Sequence, residues 1–192
     1  KKEVFVPLRD RETRMYNCGP TVYDFVHIGN LRSYVFADIV RRVLEYNSFR
    51  VKQVINITDV GHLTSDADEG EDKLEIKARE TKRTTQDIAS EVTEIFLDDL
   101  EKLNIDTKKI LFPKATEHIG EQIAFIQTLE EKGYAYKTND GVYFDTSQFK
   151  SYGKLGTVAI EGQKPGARVE HNLEKRNPTD FALWKFPPSG SK

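Results

Sequence analysis

The sequence is poor in sulfur: its 192 residues hold one cysteine, Cys18, and one methionine, Met15. A single cysteine excludes an internal disulfide and any all-cysteine zinc site within this chain. It fits a reducing compartment, and a cytoplasmic location is the expectation. Long hydrophobic runs are also missing. No apolar stretch approaches the roughly 20 residues that a membrane-spanning helix needs, and no charged-then-apolar signal segment opens the chain. No membrane partner is expected. Internal repeats are absent. With Lys1 first and the only methionine at position 15, the natural start is expected to lie upstream.

An excess of one charge is lacking overall, with 29 basic and 31 acidic residues and a net charge of −2. The mean hides a pattern. Residues 59–101 hold 14 acidic and 5 basic side chains, a local balance of −9 that leaves the remainder at +7. A phosphate-rich partner favours the remainder, and the acidic run reads as a solvated helix face. Hydrophobic residues at 38% and charged residues at 31% describe a folded chain with a modest core.

Thr13 to Cys18 reads as a short strand broken by Gly19-Pro20-Thr21. From about Ile28 a helix is predicted, with Leu31, Val35, Phe36, Ile39, Val40, Val43 and Leu44 on its inward stripe. It should stop near Asn47-Ser48. Val51 to Ile57 is β-branched and suits a strand buried on both faces. Strand, helix, strand within about 45 residues is a βαβ unit, hence a parallel sheet. Residues 59–72 read as a polar loop. In the helical region that follows, Thr84 and Asp87 form a start signal ahead of Ile88, Val92, Ile95, Phe96, Leu100 and Leu103. Ile110-Leu111-Phe112 reads as a third strand. A helix from about Thr116 to Lys132, with Ile119, Ile123, Ile126 and Leu129 inward, stops at Gly133. Tyr134 to Phe144 then forms a β-hairpin, and the remainder reads as a small β or irregular module.

The chemistry concentrates between Cys18 and Asn30, at a strand's carboxyl end leading into a helix. Open α/β sheets bind ligands there, and a helix start offers N–H groups and a positive dipole end to phosphate. Gly29 permits close approach of a nucleotide. His27 and Asn30, three apart, share one face of the first turn, and both can donate to phosphate oxygens. Taken singly, each has a plainer role: His27-x-x-Asn30 as a helix cap, Cys18 as a small buried residue, Thr58 as a strand-end hydroxyl bonded to backbone.

Together, Tyr16-Asn17-Cys18-Gly19-Pro20-Thr21-Val22-Tyr23-Asp24, His27-Ile28-Gly29-Asn30 and Asn56-Ile57-Thr58-Asp59 closely resemble the cysteinyl-tRNA synthetase family. Further matches follow in order at Pro113 to Ile119, Gly133 to Tyr136, Tyr152 to Leu155, Arg176 to Pro178 and Asp180 to Lys185. The resemblance covers nearly the whole chain. The His-Ile-Gly element by itself marks the class I nucleotidyl-transfer superfamily, and the Cys-Gly-Pro-Thr and Asn-Ile-Thr-Asp elements make the match specific.

The resemblance implies an α/β chain: the first half of a Rossmann-like parallel-sheet catalytic domain over 1–112, a small α+β connective insertion over 113–185, and a truncated loop over 186–192. It implies a ligase that joins L-cysteine and ATP, with Mg²⁺, into cysteinyl-adenylate and then charges tRNA(Cys), and a monomer. Pro20, His27, Gly29 and Asn30 would bind ATP, with His27 and Asn30 stabilising adenylate formation. Asn30 replaces the family's last signature histidine and keeps a neutral donor. Cys18, Gly19, Thr21, Thr58 and Trp184 would serve the cysteine pocket, Cys18 as one of four ligands to Zn²⁺. Zinc favours a soft thiolate over a hydroxyl, so it separates cysteine from serine better than a hydrophobic pocket does.

The sequence also departs from the family pattern in what it lacks and in what it adds. The other three zinc ligands, the lysine-rich signature and the anticodon-reading domain are not among these residues. This chain by itself is therefore expected to be inactive and not to retain zinc; His62, His118 and His171 read as loop or surface residues rather than substitutes. A Gly- and Asp-rich insertion from Val60 to Glu71 has no assigned role. Two alternatives stay open: a cysteine ligase of mycothiol synthesis, with an amino sugar in place of tRNA, and a non-catalytic nucleotide- or tRNA-binding module.

Overall fold

The computed structural model describes residues 3–61, 72–154 and 174–186. His62, His171, most of the Val60 to Glu71 insertion and residues 187–192 lie outside the described residues. The chain divides into two units, 3–61 with 72–118 and 119–154 with 174–186 among the described residues.

The first unit is a parallel α/β arrangement. Strand β1 (Glu12–Asn17), helix α1 (Ile28–Tyr46) and strand β2 (Arg50–Ile55) form the βαβ unit expected from the sequence. The strands pair in parallel from Glu12 with Arg50 to Asn17 with Ile55. After α2 (Lys73–Thr81) and α3 (Thr85–Lys102), strand β3 (Ile110–Leu111) joins β2 in parallel, giving the order β1-β2-β3. The helix start at Thr84 is as predicted, its Oγ1 accepting from the Asp87 N–H at 3.1 Å. Lys82, in the left-handed region with φ 55°, separates α2 from α3.

β2 is buried on one face rather than both. Gln53 and Ile55 are inward while Lys52 is exposed and pairs with Glu12. Ile55, Ile57 and Ile110 pack with Ile88, Val92 and Phe96 of α3 into the core. Tyr34 of α1 meets the Phe96 ring edge-on at 5.1 Å. A fully buried aromatic such as Phe96 contributes about 2–3 kcal/mol.

α1 buries only part of the stripe its apolar spacing indicates, with Leu31 and Val35 packed against the core. Tyr34, Ala37, Asp38 and Arg41 are inward, whereas Phe36, Ile39 and Val43 are more than half exposed. The physical reason is charge compensation. The Arg41 guanidinium donates to Asp38 and Glu45, and Arg42 donates to the second Asp38 oxygen. Paired and hydrogen-bonded within one helix, these groups tolerate burial that an isolated charge would resist.

The second unit carries α4 (Ile119–Glu131), entered through a 3₁₀ turn at Ala115–His118, three residues later than predicted. None of its residues is fully buried, and Ile123, read as inward, is exposed. Gly133 ends it at φ 76°. Strands β4 (Ala135–Lys137), β5 (Gly141–Phe144) and β6 (Phe181–Lys185) form an antiparallel sheet in that order. Burial first, and then its bond to the Asp180 carboxylate, pushes the Tyr136 hydroxyl up to about 12.

The buried Asp180 carboxylate ties β6 to this sheet. It accepts from the Tyr136 hydroxyl at 2.8 Å, from the Thr146 N–H and Oγ1 at 2.9 Å each, and from the Asn177 N–H at 3.0 Å. Asp180→Ala removes the acceptor shared by these donors at a buried position, and a loss of about 3 kcal/mol is expected. Urea unfolding of the variant checks it.

Candidate functional site

The carboxyl ends of β1 and β2 continue past the regular ladder. The Thr58 N–H donates to the Pro20 carbonyl at 3.0 Å, and the Val22 N–H donates to the Thr58 carbonyl at 3.2 Å. Thr21 and Thr58 thus form a parallel bridge beyond the strand ends. Pro20 and Val22 are buried beneath it. Gly19 donates its N–H to Asn56 Oδ1 at 2.9 Å. A Cβ on Gly19 would lie 1.5 Å from the Asn56 carbonyl oxygen, so only glycine fits this backbone contact. Cys18, Gly19, Pro20, Thr21 and Thr58 are therefore brought together at one edge of the parallel sheet.

Asn56 entered the sequence reading only as part of the Asn-Ile-Thr-Asp element, with no role of its own, yet it organises this edge. Its Nδ2 donates to Thr58 Oγ1 at 3.0 Å while Oδ1 takes Gly19. The signal was present: an amide between the buried Ile55 and Ile57 needs hydrogen-bond partners. Asp59 adds a second tie, accepting from the Thr116 N–H at 3.0 Å and from its hydroxyl at 2.6 Å.

The start of α1 differs from the expected row of unpaired N–H groups. His27 is the N-cap, and its Nδ1 accepts from the Gly29 N–H at 3.0 Å and the Asn30 N–H at 3.4 Å. Asn30 Oδ1 reciprocates by accepting from the His27 N–H at 3.1 Å. This is a capping box in which histidine and asparagine take the usual roles of serine and glutamate. A Cβ on Gly29 would press on the imidazole at 2.8 Å, so the glycine leaves room for the ring. With Nδ1 accepting, the neutral ring carries its proton on Nε2. His27 Nε2–H and the Asn30 amide N–H groups are the donors left over, on exposed residues in a first turn without an acidic side chain.

Cys18 is exposed, its sulfur 3.8 Å from the Gly19 carbonyl. Tyr34 stands close enough that burial first, and the Cys18 charge second, push its hydroxyl up to about 12. Among the described residues no three His, Cys, Asp or Glu side chains converge on a point that would hold a metal. Cys18 thus supplies one thiol, and these residues do not fit a complete zinc site. His118 is exposed on the Ala115–His118 turn. Trp184 lies on β6 of the second unit, opposite Val142. A separate polar hollow of about 300 Å³ is lined by Asp59, Thr85, Ser90, Lys114 and Thr116, and none of Cys18, His27 or Asn30 lines it.

A parallel βαβ sheet, with a helix capped from a loop at its carboxyl edge, defines the ligand-binding end of an α/β enzyme domain. The family profile described as tRNA synthetases class I (C) catalytic domain matches residues 4–191, and the chain belongs to that family. It is 54% identical over 185 residues to a cysteine–tRNA ligase 1 of Burkholderia lata, covering 96% of this chain and 39% of the relative. It is 47% identical to a cysteine–tRNA ligase of Treponema denticola, covering 96% of this chain and 37% of the relative. A cysteine–tRNA ligase of Pyrococcus abyssi is also 47% identical, over 99% of this chain and 38% of the relative. The chain therefore spans less than two fifths of the length of these relatives. No helix among the described residues is long and apolar enough to cross a membrane.

Gly19→Ala should displace the loop from Asn56, because backbone on both sides cannot yield. A loss of about 3 kcal/mol or outright misfolding is expected, whereas Gly120→Ala, at a helical position of α4 with open space around it, should leave the unfolding midpoint unchanged or raise it slightly.

Proposed function

We propose that this chain is the amino-terminal part of a cytoplasmic, monomeric cysteine–tRNA ligase, with catalytic residues up to about 112 and a connective module over 113–185. The whole polypeptide joins L-cysteine and MgATP into cysteinyl-adenylate, releases pyrophosphate, and passes the cysteine to tRNA(Cys). The observation that carries this reading is the division of labour within His27. Its Nδ1 caps α1, which fixes the ring and leaves Nε2–H as an oriented donor.

When the cysteine carboxylate attacks the α-phosphate, negative charge builds on the phosphate oxygens. His27 Nε2–H and the Asn30 amide then donate to those oxygens, at the positive end of the 19-residue α1. Donors already held in place lower the barrier if they bind that charge better than the ground state. Pro20 and Gly29 shape the nucleotide side of this turn. Gly19, Thr21 and Thr58 line the cysteine side, with the Cys18 thiol at its rim. A four-ligand zinc site needs three groups beside Cys18.

Cysteine-dependent exchange of label between pyrophosphate and ATP tests the reading in the full-length polypeptide. Robust exchange is expected there, and none from residues 1–192 on their own; absence of cysteine dependence in the full-length polypeptide would sink it. His27→Ser separates the two roles of the histidine. Serine keeps a cap but has no Nε2 donor, so kcat for exchange should fall about 100-fold or more while the KM for cysteine changes little.

A further inference from the structure

The Val22–His27 loop leads from the Thr21–Thr58 bridge to the start of α1. Its inner side is held by the fully buried Val22 and the partly buried Val26. Its outer residues, Asp24 and Phe25, are exposed, Phe25 by 56%. Within the β1–α1 connection the Phe25 N–H donates to Asp24 Oδ1 at 2.9 Å, a contact between neighbours that does not tie the pair to another element. An unrestrained loop directly ahead of an N-cap would let His27 sample other positions, because the cap residue takes its extended backbone (φ −97°, ψ 170°) from the residues that lead into it.

α2 supplies the missing restraint. Lys77 Nζ lies 3.3 Å from Asp24 Oδ1 and 5.6 Å from the centre of the Phe25 ring. One turn earlier, Lys73 Nζ lies 5.0 Å from the centre of the Tyr23 ring. Four residues apart, the two lysines share one face of α2 and engage three successive loop residues. The Phe25 N–H, followed by Lys77, holds the Asp24 carboxyl below the usual range, which favours its charged form. α2 is itself fixed: Leu74 is buried in the core. The Asp72 carboxylate caps the helix through the Leu74 N–H at 2.7 Å and takes the Gly61 N–H at 2.8 Å. A charged helix face left to solvent would scatter its partners, whereas both of these ammonium groups are directed at one loop.

Resting on the ligase reading above, we propose that Lys73 and Lys77 are positioning residues that clamp the Tyr23-Asp24-Phe25 loop and thereby hold the His27 cap in register for adenylate formation. They act through the loop and not on the nucleotide. Each contact is a surface interaction that by itself contributes little, so their joint effect belongs in the rate and not in the fold.

The test is cysteine-dependent ATP–pyrophosphate exchange by the full-length polypeptide carrying Lys77→Met, Lys77→Arg or Phe25→Leu. Lys77→Met should lower kcat about tenfold, which corresponds to about 1.4 kcal/mol, with the KM values for ATP and cysteine within about twofold and the unfolding midpoint unchanged. Lys77→Arg should restore the rate, since a guanidinium keeps both the ion pair and the ring contact. Phe25→Leu should show a smaller loss of the same kind and serves if Lys77→Met folds poorly. A raised ATP KM at unchanged kcat would overturn the clamp in favour of direct nucleotide contact. An unchanged kcat and KM in both Lys77→Met and Phe25→Leu would overturn it outright. No cysteine-dependent exchange by the unsubstituted polypeptide would instead refute the ligase reading, and the clamp with it.

Discussion

Contact between the Gly19 backbone and Asn56 governs the functional edge of this chain. A parallel pair of strands normally separates where its ladder ends. Here β1 and β2 stay together for several residues more, because Asn56 spends one side of its amide on Gly19 and the other on Thr58. Gly19 approaches so closely that a side chain has no space. The Thr21–Thr58 bridge, the buried Pro20 and Val22, and the direction of the loop toward α1 all follow from that contact.

On this base the chain solves an electrostatic problem. A helix start is attractive to phosphate, yet its own N–H groups also need partners. His27 and Asn30 satisfy these groups reciprocally and retain one donor function each. The turn therefore offers side-chain donors, where a glycine-rich phosphate loop would offer backbone N–H groups. A cap used in this way is rigid, because moving the imidazole would expose two amides.

Much of the architecture was legible in the sequence. The βαβ unit, the Thr84 start, the Gly133 stop and the hairpin rest on local rules of turn chemistry and periodicity, and the structure follows them. The inward face of α1 was legible only in part. Apolar spacing located Phe36, Ile39 and Val43 on one stripe, but the partners of Arg41 and Asp38 lie on the same helix, and their mutual neutralisation lets a charged ridge turn inward. Periodicity counts hydrophobic residues and is blind to such pairing. At the site, the residues of Cys18–Asn30 could be collected by motif and the His27-x-x-Asn30 cap by its position, whereas which ring nitrogen faces the helix, and so which one is left to donate, could not. Asn56 and the lysines of α2 escaped for a related reason: their roles consist of contacts to segments more than 35 residues away in sequence.

Site-resolved hydrogen exchange in the full-length polypeptide, with and without Asn56→Ala, addresses the anchoring contact most directly. The amides of Gly19, Val22 and Thr58 should be protected in the unsubstituted protein. In the variant, protection at Gly19 should be lost and at Val22 reduced, while the interiors of β1 and α3 keep theirs. Unchanged protection at Gly19, or an equal loss throughout β1 and α3, would contradict the account.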